Sequence, residues 1–282
     1  MAVTDLKKML TDARDGGYAV GAFNVENMEF VQAVVRAADE ERAPVIIQTS
    51  VNTLRYAAPE MFFAMVSAAA AETTVPVAIH LDHGETREDI LACVRGGYRS
   101  VMFDGSLLPY AENVRMTRRI AEVCGPLGVT VEGELGAIAG KKNAPAHSRL
   151  LYTNPDTAAD FVRQTGVDAL AVAIGTAHGI YKDTPQLDYE RLDDIRRAVD
   201  TPLVLHGASG LTDEQVRECV RRGIAKVNIA TELRIAWTET IRAAQKEAPG
   251  VFDPKKAAGR ARDAVCGIVR EKIRVLGSAG KA

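Results

Sequence analysis

A chain of 282 residues that is 47% hydrophobic and 26% charged suits one large α/β domain as well as two small ones. With 35 basic against 37 acidic residues, the net charge of −2 sets up no global field for nucleic acid or a membrane surface, so an anionic partner must be held locally. No Gly/Ser/Pro-rich stretch divides the chain, and a single domain over 1–282 is expected.

The amino-terminal segment MAVTDLKKMLTDARDGG spaces its apolar residues helically and lacks the apolar core of a signal peptide. No run approaches the roughly 18 apolar residues of a membrane span. A cytoplasmic protein is expected. Cys93, Cys124, Cys219 and Cys266 show no CxxC spacing and read as small core or surface residues of a reduced compartment rather than zinc ligands or disulfide partners.

Short Val/Ile/Leu-rich runs then recur, each followed by a stretch of helical periodicity. They are AVGAFN (19–24), PVIIQTS (44–50), PVAIHLDH (76–83), RSVMFDG (99–105), GVTVEGEL (128–135), DALAVAIG (168–175), PLVLHG (202–207) and AKVNIA (225–230). Several are apolar almost throughout, as parallel strands covered on both faces are. Helical segments separate them; in TDEQVRECVRRG, Thr212 is placed to cap the start and Gly223 to mark the stop. Eight such units match a (β/α)8 TIM barrel of α/β class, with extra helices at both termini. A doubly wound sheet is the alternative, but no GxGxxG follows the first run.

A barrel of this kind works from the C-terminal ends of its strands. The polar residues of this chain collect there: Asn24, Ser50, Asp82, His83, Asp104, Glu132, Glu134, His178, His206, Ser209, Asn228 and Thr231. A lone histidine at such a place is ordinarily a hydrogen-bonded core residue. Three on runs three, six and seven of one barrel point instead to a metal site, because three imidazoles with an open position are a usual catalytic arrangement for Zn²⁺. His80 lies two residues before Asp82 and is expected to orient it or to pack the interior. Asp82 itself suits proton transfer to a substrate oxygen, or a supporting role behind a histidine. Glu132 and Glu134 share one face of run five; either is a candidate ligand or proton acceptor, Asp104 is a candidate for a second, weaker cation position, and pairing with a lysine is the other reading of all three. The Gly-containing turn HGASG and the segment KVNIATE lead into helices after runs seven and eight, where such barrels bind phosphate.

Over its whole length the chain resembles the class II, metal-dependent ketose-bisphosphate aldolases. The resemblance rests on GYAVGAFNVEN, HLDHG, SVMFDGS, VEGELG, TAHGIYK, LHGASG and KVNIATE. It implies Zn²⁺ held by His83, His178 and His206, with a second divalent or monovalent cation near Asp104 and Glu134. It further implies that Asp82 moves the proton of the hydroxyl at the aldol bond, and that the metal polarises the ketone and stabilises the enediolate. Gly179, Gly207, Ala208, Ser209, Asn228, Ile229, Ala230 and Thr231 would hold dihydroxyacetone phosphate, with Asn24 and Ser50 nearby. Arg262 matches an arginine that reaches the distal phosphate in fructose-bisphosphate members, often across a subunit boundary, so a homodimer or homotetramer is implied. The implied substrate is fructose 1,6-bisphosphate, cleaved to dihydroxyacetone phosphate and glyceraldehyde 3-phosphate; tagatose 1,6-bisphosphate and 6-phospho-5-dehydro-2-deoxygluconate are the alternatives, and a weak phosphosugar-binding scaffold is a further one.

One departure stands out. Many relatives carry GG-x-ED after VE-x-ELG, and its glutamate takes the proton from dihydroxyacetone phosphate; here the loop reads AIAGKKNAPAHS, with Lys141, Lys142 and Asn143 in the acidic stretch and Lys142 in the glutamate's place. A lysine with a pKa near about 10.4 is protonated at neutral pH and accepts nothing. The base is then another carboxylate such as Glu134, a desolvated Lys142, or His147, or the lysines recognise a different anionic substrate.

Overall fold

The computed structural model describes residues 4–138, 152–179, 181 and 185–282. From the amino terminus the elements are α1 (Leu6–Gly16), β1 (Val20–Asn24), α2 (Met28–Glu41), β2 (Val45–Ser50), α3 (Val51–Tyr56), α4 (Pro59–Ala71), β3 (Val77–Gly84) and α5 (Arg87–Arg95). There follow β4 (Ser100–Phe103), α6 (Tyr110–Cys124), β5 (Thr130–Leu135), α7 (Pro155–Thr165), β6 (Ala169–Val172) and α8 (Tyr189–Ala198). The chain ends with β7 (Leu203–Leu205), α9 (Asp213–Arg221), β8 (Ile224–Ile229), α10 (Thr231–Glu247) and α11 (Pro254–Val275). Every strand pairs in parallel with its sequence neighbour and β8 closes on β1, giving the expected (β/α)8 barrel. Two runs end earlier than their apolar content suggested: β6 stops at Val172 and β7 at Leu205, because the segments after them turn away to form the mouth.

The runs looked apolar throughout, but their two faces differ. Phe23, Ile47, Ile79, Leu81, Val101, Val131, Leu170, Leu203 and Val227 pack outward under the helices in the main core. The inward face begins with Val20, Ala22, Ile46, Ala78, Ala169, Ala171 and Val204, which pack with Leu6, Met9 and Leu10 of α1 in a second cluster. Two residues further along the same parity come Asn24, Gln48, His80, Asp82, Glu132, Glu134 and Asn228. Small residues low in the barrel therefore leave room for a polar layer above them.

The terminal helices do different work. An Asp5 cap starts α1, whose Lys7 reaches Asp168 at the start of β6, while Thr4 bonds Val77 at the start of β3. Thus α1 plugs the barrel opposite its mouth. The other extra helix, α11, runs along α2, with Arg274 paired to Glu41 and Arg36 to Asp263. Among the described residues no helix is long and apolar enough to cross a membrane. The thiols of Cys93, Cys124, Cys219 and Cys266 are free, as expected, and buried.

The plug is testable. Replacing the fully buried Leu10 by Ala should cost about 2–5 kcal/mol in urea denaturation, since the closed end of a barrel cannot collapse around the void. A loss below about 1 kcal/mol would show that α1 does not seal the barrel.

Candidate active site

Asp82 and His83 are adjacent in β3, so regular pleating would send them to opposite faces. The register instead shifts between Leu81 and Gly84, where one extra residue enters β3 relative to β4. His83 adopts a left-handed backbone, φ +50°, a conformation uncommon for any residue but glycine. Bulge and turn together bring both side chains to the mouth. Gly84 permits the close approach that follows, because a Cβ there would stand 2.7 Å from the Met102 carbonyl oxygen.

The three histidines meet as the sequence suggested. Ring centroids lie 5.0 Å apart for His83 and His178, 4.7 Å for His83 and His206, and 6.0 Å for His178 and His206. One ligand atom from each lies within 4.8 Å of the others, and the same holds for the set His83, Asp104 and Glu134. His206 follows β7 directly, whereas His178 stands well beyond Val172, in the loop after β6.

Carboxylates fix two of the rings. His83 Nδ1 lies 2.7 Å from Asp104 Oδ2, and Asp104 Oδ1 accepts from the Ser106 amide at 3.1 Å. His206 Nε2 lies 2.9 Å from Glu132 Oε1. A carboxylate only accepts, so each of these ring nitrogens carries a hydrogen, and a ring in its neutral form has its lone pair on the opposite nitrogen. Those opposite nitrogens, His83 Nε2 and His206 Nδ1, face each other at 3.0 Å. When both rings are neutral they cannot hydrogen-bond to one another, and a cation between them suits both. Burial first, and then the neighbouring His83 and Lys226 side chains, hold the His206 pKa well below its ordinary value, so the ring is in its neutral, ligating form.

Asp82 sits beside this group with both oxygens held: Asn24 Nδ2 donates to Oδ2 at 2.9 Å and Asn228 Nδ2 to Oδ1 at 3.0 Å. Gln48 Nε2 in turn donates to Asn24 Oδ1 at 2.9 Å. Burial pushes the Asp82 carboxyl up, but the His83 and Lys226 side chains and the Asn24 bond outweigh it and bring the pKa down to about 2. Asp82 is thus an ionised, fixed acceptor. Glu134, fully buried, places Oε2 3.7 Å from His206 Nδ1 and 3.8 Å from His83 Nδ1.

His80 departs from one of its two readings. It packs the interior and bonds Ser100 Oγ at 2.7 Å, while Nε2 lies 3.6 Å from Glu132 and makes no hydrogen bond among the described residues, so it does not orient Asp82.

The turns at Gly179 and Gly207 and the start of α10 complete the group. Gly207, φ +66°, would bring a Cβ to 2.4 Å from the Ala177 carbonyl oxygen, so only glycine fits this crossing of the loops after β6 and β7. Gly179 also has positive φ, at +95°. Ala230 gives α10 no side-chain cap, leaving its first N–H groups to other acceptors. Ser209 Oγ takes that place, accepting from the Ala230 amide at 3.3 Å and the Thr231 amide at 3.2 Å. Ala208 and Ile229 have buried side chains, so what they offer a ligand is backbone.

Two expected residues are differently engaged. Ser50 caps α3, accepting from the Thr53 amide at 3.4 Å. Arg262 lies on α11 outside the barrel, where Nη1 donates to Gln32 Oε1 at 3.1 Å; within one chain it is not brought among the mouth residues. Lys141, Lys142, Asn143 and His147 lie outside the described residues.

With this geometry in hand, comparison with known proteins is decisive. Residues 4–281 match the family described as fructose-bisphosphate aldolase class-II. The chain belongs to that family. The YdjI aldolase of Escherichia coli K12 is 38% identical over 100% of both chains, with a TM-score of 0.88. A candidate fructose-1,6-bisphosphate aldolase of Coccidioides immitis is 31% identical, covering 98% of this chain and 97% of its own, with a TM-score of 0.87. The fructose-bisphosphate aldolase of Campylobacter jejuni shares the fold at 23% identity, with a TM-score of 0.86 over 100% of this chain and 97% of that one.

This class II aldolase also uses residues that sequence reasoning passed over. Gln48 is one, and its signal was its parity with His80 and Asp82 on neighbouring β3. Tyr181 is another: its hydroxyl accepts from the Ala177 amide at 2.6 Å and donates to the Gly207 carbonyl at 2.7 Å, tying the His178 loop to the His206 loop. Burial pushes the Tyr181 hydroxyl up to about 12, which keeps it a donor. Tyr181→Phe should lower stability by about 1–3 kcal/mol, measured by chemical denaturation, because a carbonyl and an amide both lose their partner. An unchanged midpoint would mean that the loops hold each other without it.

Proposed function

We propose that this protein is a zinc-dependent aldolase that cleaves a phosphorylated ketose to dihydroxyacetone phosphate and an aldehyde. The observation that carries the reading is the pair of ring nitrogens on His83 and His206, converging beside His178 and next to a fixed, ionised Asp82. His83, His178 and His206 would hold the ion, and when bound it supplies Lewis acidity toward the ketone oxygen. Asp104 and Glu134 would serve a second divalent or monovalent cation.

Asp82 takes the proton of the hydroxyl beside the breaking carbon–carbon bond, and returns it in the condensation direction. Asn24 and Asn228 keep its oxygens aimed while Gln48 keeps Asn24 in register. The buried Asn228 Oδ1 has no partner among the described residues and suits a substrate hydroxyl. Where no second cation occupies it, Glu134 would exchange a proton with the carbon of dihydroxyacetone phosphate, which needs a base where the chain carries Lys142. Ser209 releases the Ala230 and Thr231 amides to a phosphate, with Gly179, Gly207 and the Asn228–Thr231 backbone completing the cradle.

The substrate we favour is fructose 1,6-bisphosphate, on the family's description. Arg262 stands outside the mouth of its own chain, so its contact with a distal phosphate requires a homodimer or homotetramer; if the protein is monomeric in light scattering, tagatose 1,6-bisphosphate or 6-phospho-5-dehydro-2-deoxygluconate gains ground, and a substrate screen on zinc-loaded protein decides among them.

Dialysis against a strong chelator should abolish aldol cleavage and added zinc should restore it; activity that survives complete metal removal refutes the mechanism. Asp82→Ala should lower kcat by about 10²–10⁴ with zinc still bound. Glu134→Gln should slow exchange of the dihydroxyacetone phosphate proton with solvent by a similar factor, about 10²–10⁴, followed by NMR in deuterium oxide. Unchanged exchange in that variant would assign the base to the loop instead.

A further inference from the structure

Beneath the histidines, the barrel encloses an ion pair that reaches neither the mouth nor solvent. Lys226 Nζ donates to Glu132 Oε2 at 2.8 Å, and both residues are fully buried. The remaining oxygen, Oε1, meets His206 Nε2 at 2.9 Å. Neutral His80 flanks the pair, its Nε2 3.6 Å from Oε2.

A buried ion pair adds little stability over an apolar pair of the same shape, so its presence calls for another account. Donor and acceptor arithmetic supplies one. An ammonium only donates and a carboxylate only accepts, whereas a carboxylic acid or an amide can do either. Lys226 takes Oε2, which leaves Oε1 to face His206 Nε2 as an acceptor. Asn228 Nδ2 also approaches His206 Nε2, at 3.2 Å, but that amide donates to Asp82, and the nearer carboxylate decides where the ring hydrogen lies.

We infer that Lys226 is a positioning residue which, through Glu132, fixes the His206 tautomer, placing the hydrogen on Nε2 and the lone pair on Nδ1. The inference rests on the metal-site reading above. The hydrogen bond of Lys226 goes to Glu132, so it acts at one remove, through a carboxylate whose other oxygen meets a proposed ligand ring.

Glu132→Gln tests it, because the variant keeps the shape and removes the acceptor-only character. Lys226 then takes the amide oxygen, the amide NH2 turns to His206 Nε2, and the ring must carry its hydrogen on Nδ1, the ligating atom. Zinc affinity by chelator competition should fall about 10–100-fold. In Lys226→Met/Glu132→Gln the amide is released to rotate and accept from Nε2–H, so the double variant should regain at least about tenfold of that loss. Nitrogen-15 NMR of the metal-free proteins should show His206 as Nε2–H in the wild type and the double variant, and as Nδ1–H in Glu132→Gln. A double variant as weak as the single one overturns the inference, as does an Nδ1–H tautomer in the wild type, which needs no variant to fold. A wild type that shows Nε2–H yet binds no zinc would defeat the metal-site reading and leave the tautomer assignment standing.

Discussion

Two imidazole nitrogens face each other at 3.0 Å in the mouth of this barrel, each held there by a carboxylate on the far side of its ring. Most of the surrounding geometry answers to that constraint. The bulge in β3 and the left-handed backbone of His83 turn one ring inward beside Asp82. The crossing at Gly207 and the Tyr181 hydroxyl bind together the two loops that carry the other rings. Strain at His83 is tolerated because the ladder on both sides of it, and the contact of Gly84 with β4, determine the local path.

A polar layer this deep in a barrel would be costly if its members were left unpaired. The low interior is therefore built from Ala22, Ala78, Ala169 and Ala171, which leave volume above them, and chains of contacts pair most of the layer, while the buried Gln48 Oε1, His80 Nε2 and Asn228 Oδ1 have no partner among the described residues. One chain runs Gln48, Asn24, Asp82, Asn228; another runs Lys226, Glu132, His206. The first aims a proton acceptor and the second aims a ligand.

The alternation of apolar runs and amphipathic segments made the barrel legible in the sequence, because parallel strands and their covering helices have opposite periodicities. The three histidines and Asp82 were legible for a related reason: a polar residue that ends an apolar run costs core packing, and three imidazoles in that position share one barrel rim. What escaped was whatever depends on a single register shift or on partners distant in sequence. Nothing in HLDHG shows that His83 turns left-handed, and the pairing of Glu132 with Lys226, across the barrel interior, has no local signature. His80 was read partly against Asp82 because period two places them on one face, yet Ser100 on β4 claimed it. Arg262 was placed by resemblance alone, and in one chain its guanidinium bonds to α2 outside the mouth.

Crystals of the zinc-loaded protein, measured at the zinc absorption edge, would test the central claim most directly. The account predicts one strong anomalous peak about 2.0–2.1 Å from His83 Nε2, from His206 Nδ1 and from one ring nitrogen of His178, with Asp104 and Glu132 still on the outer nitrogens of the first two. A peak on His206 Nε2, or one held only by the Asp104 and Glu134 side of His83, would contradict it.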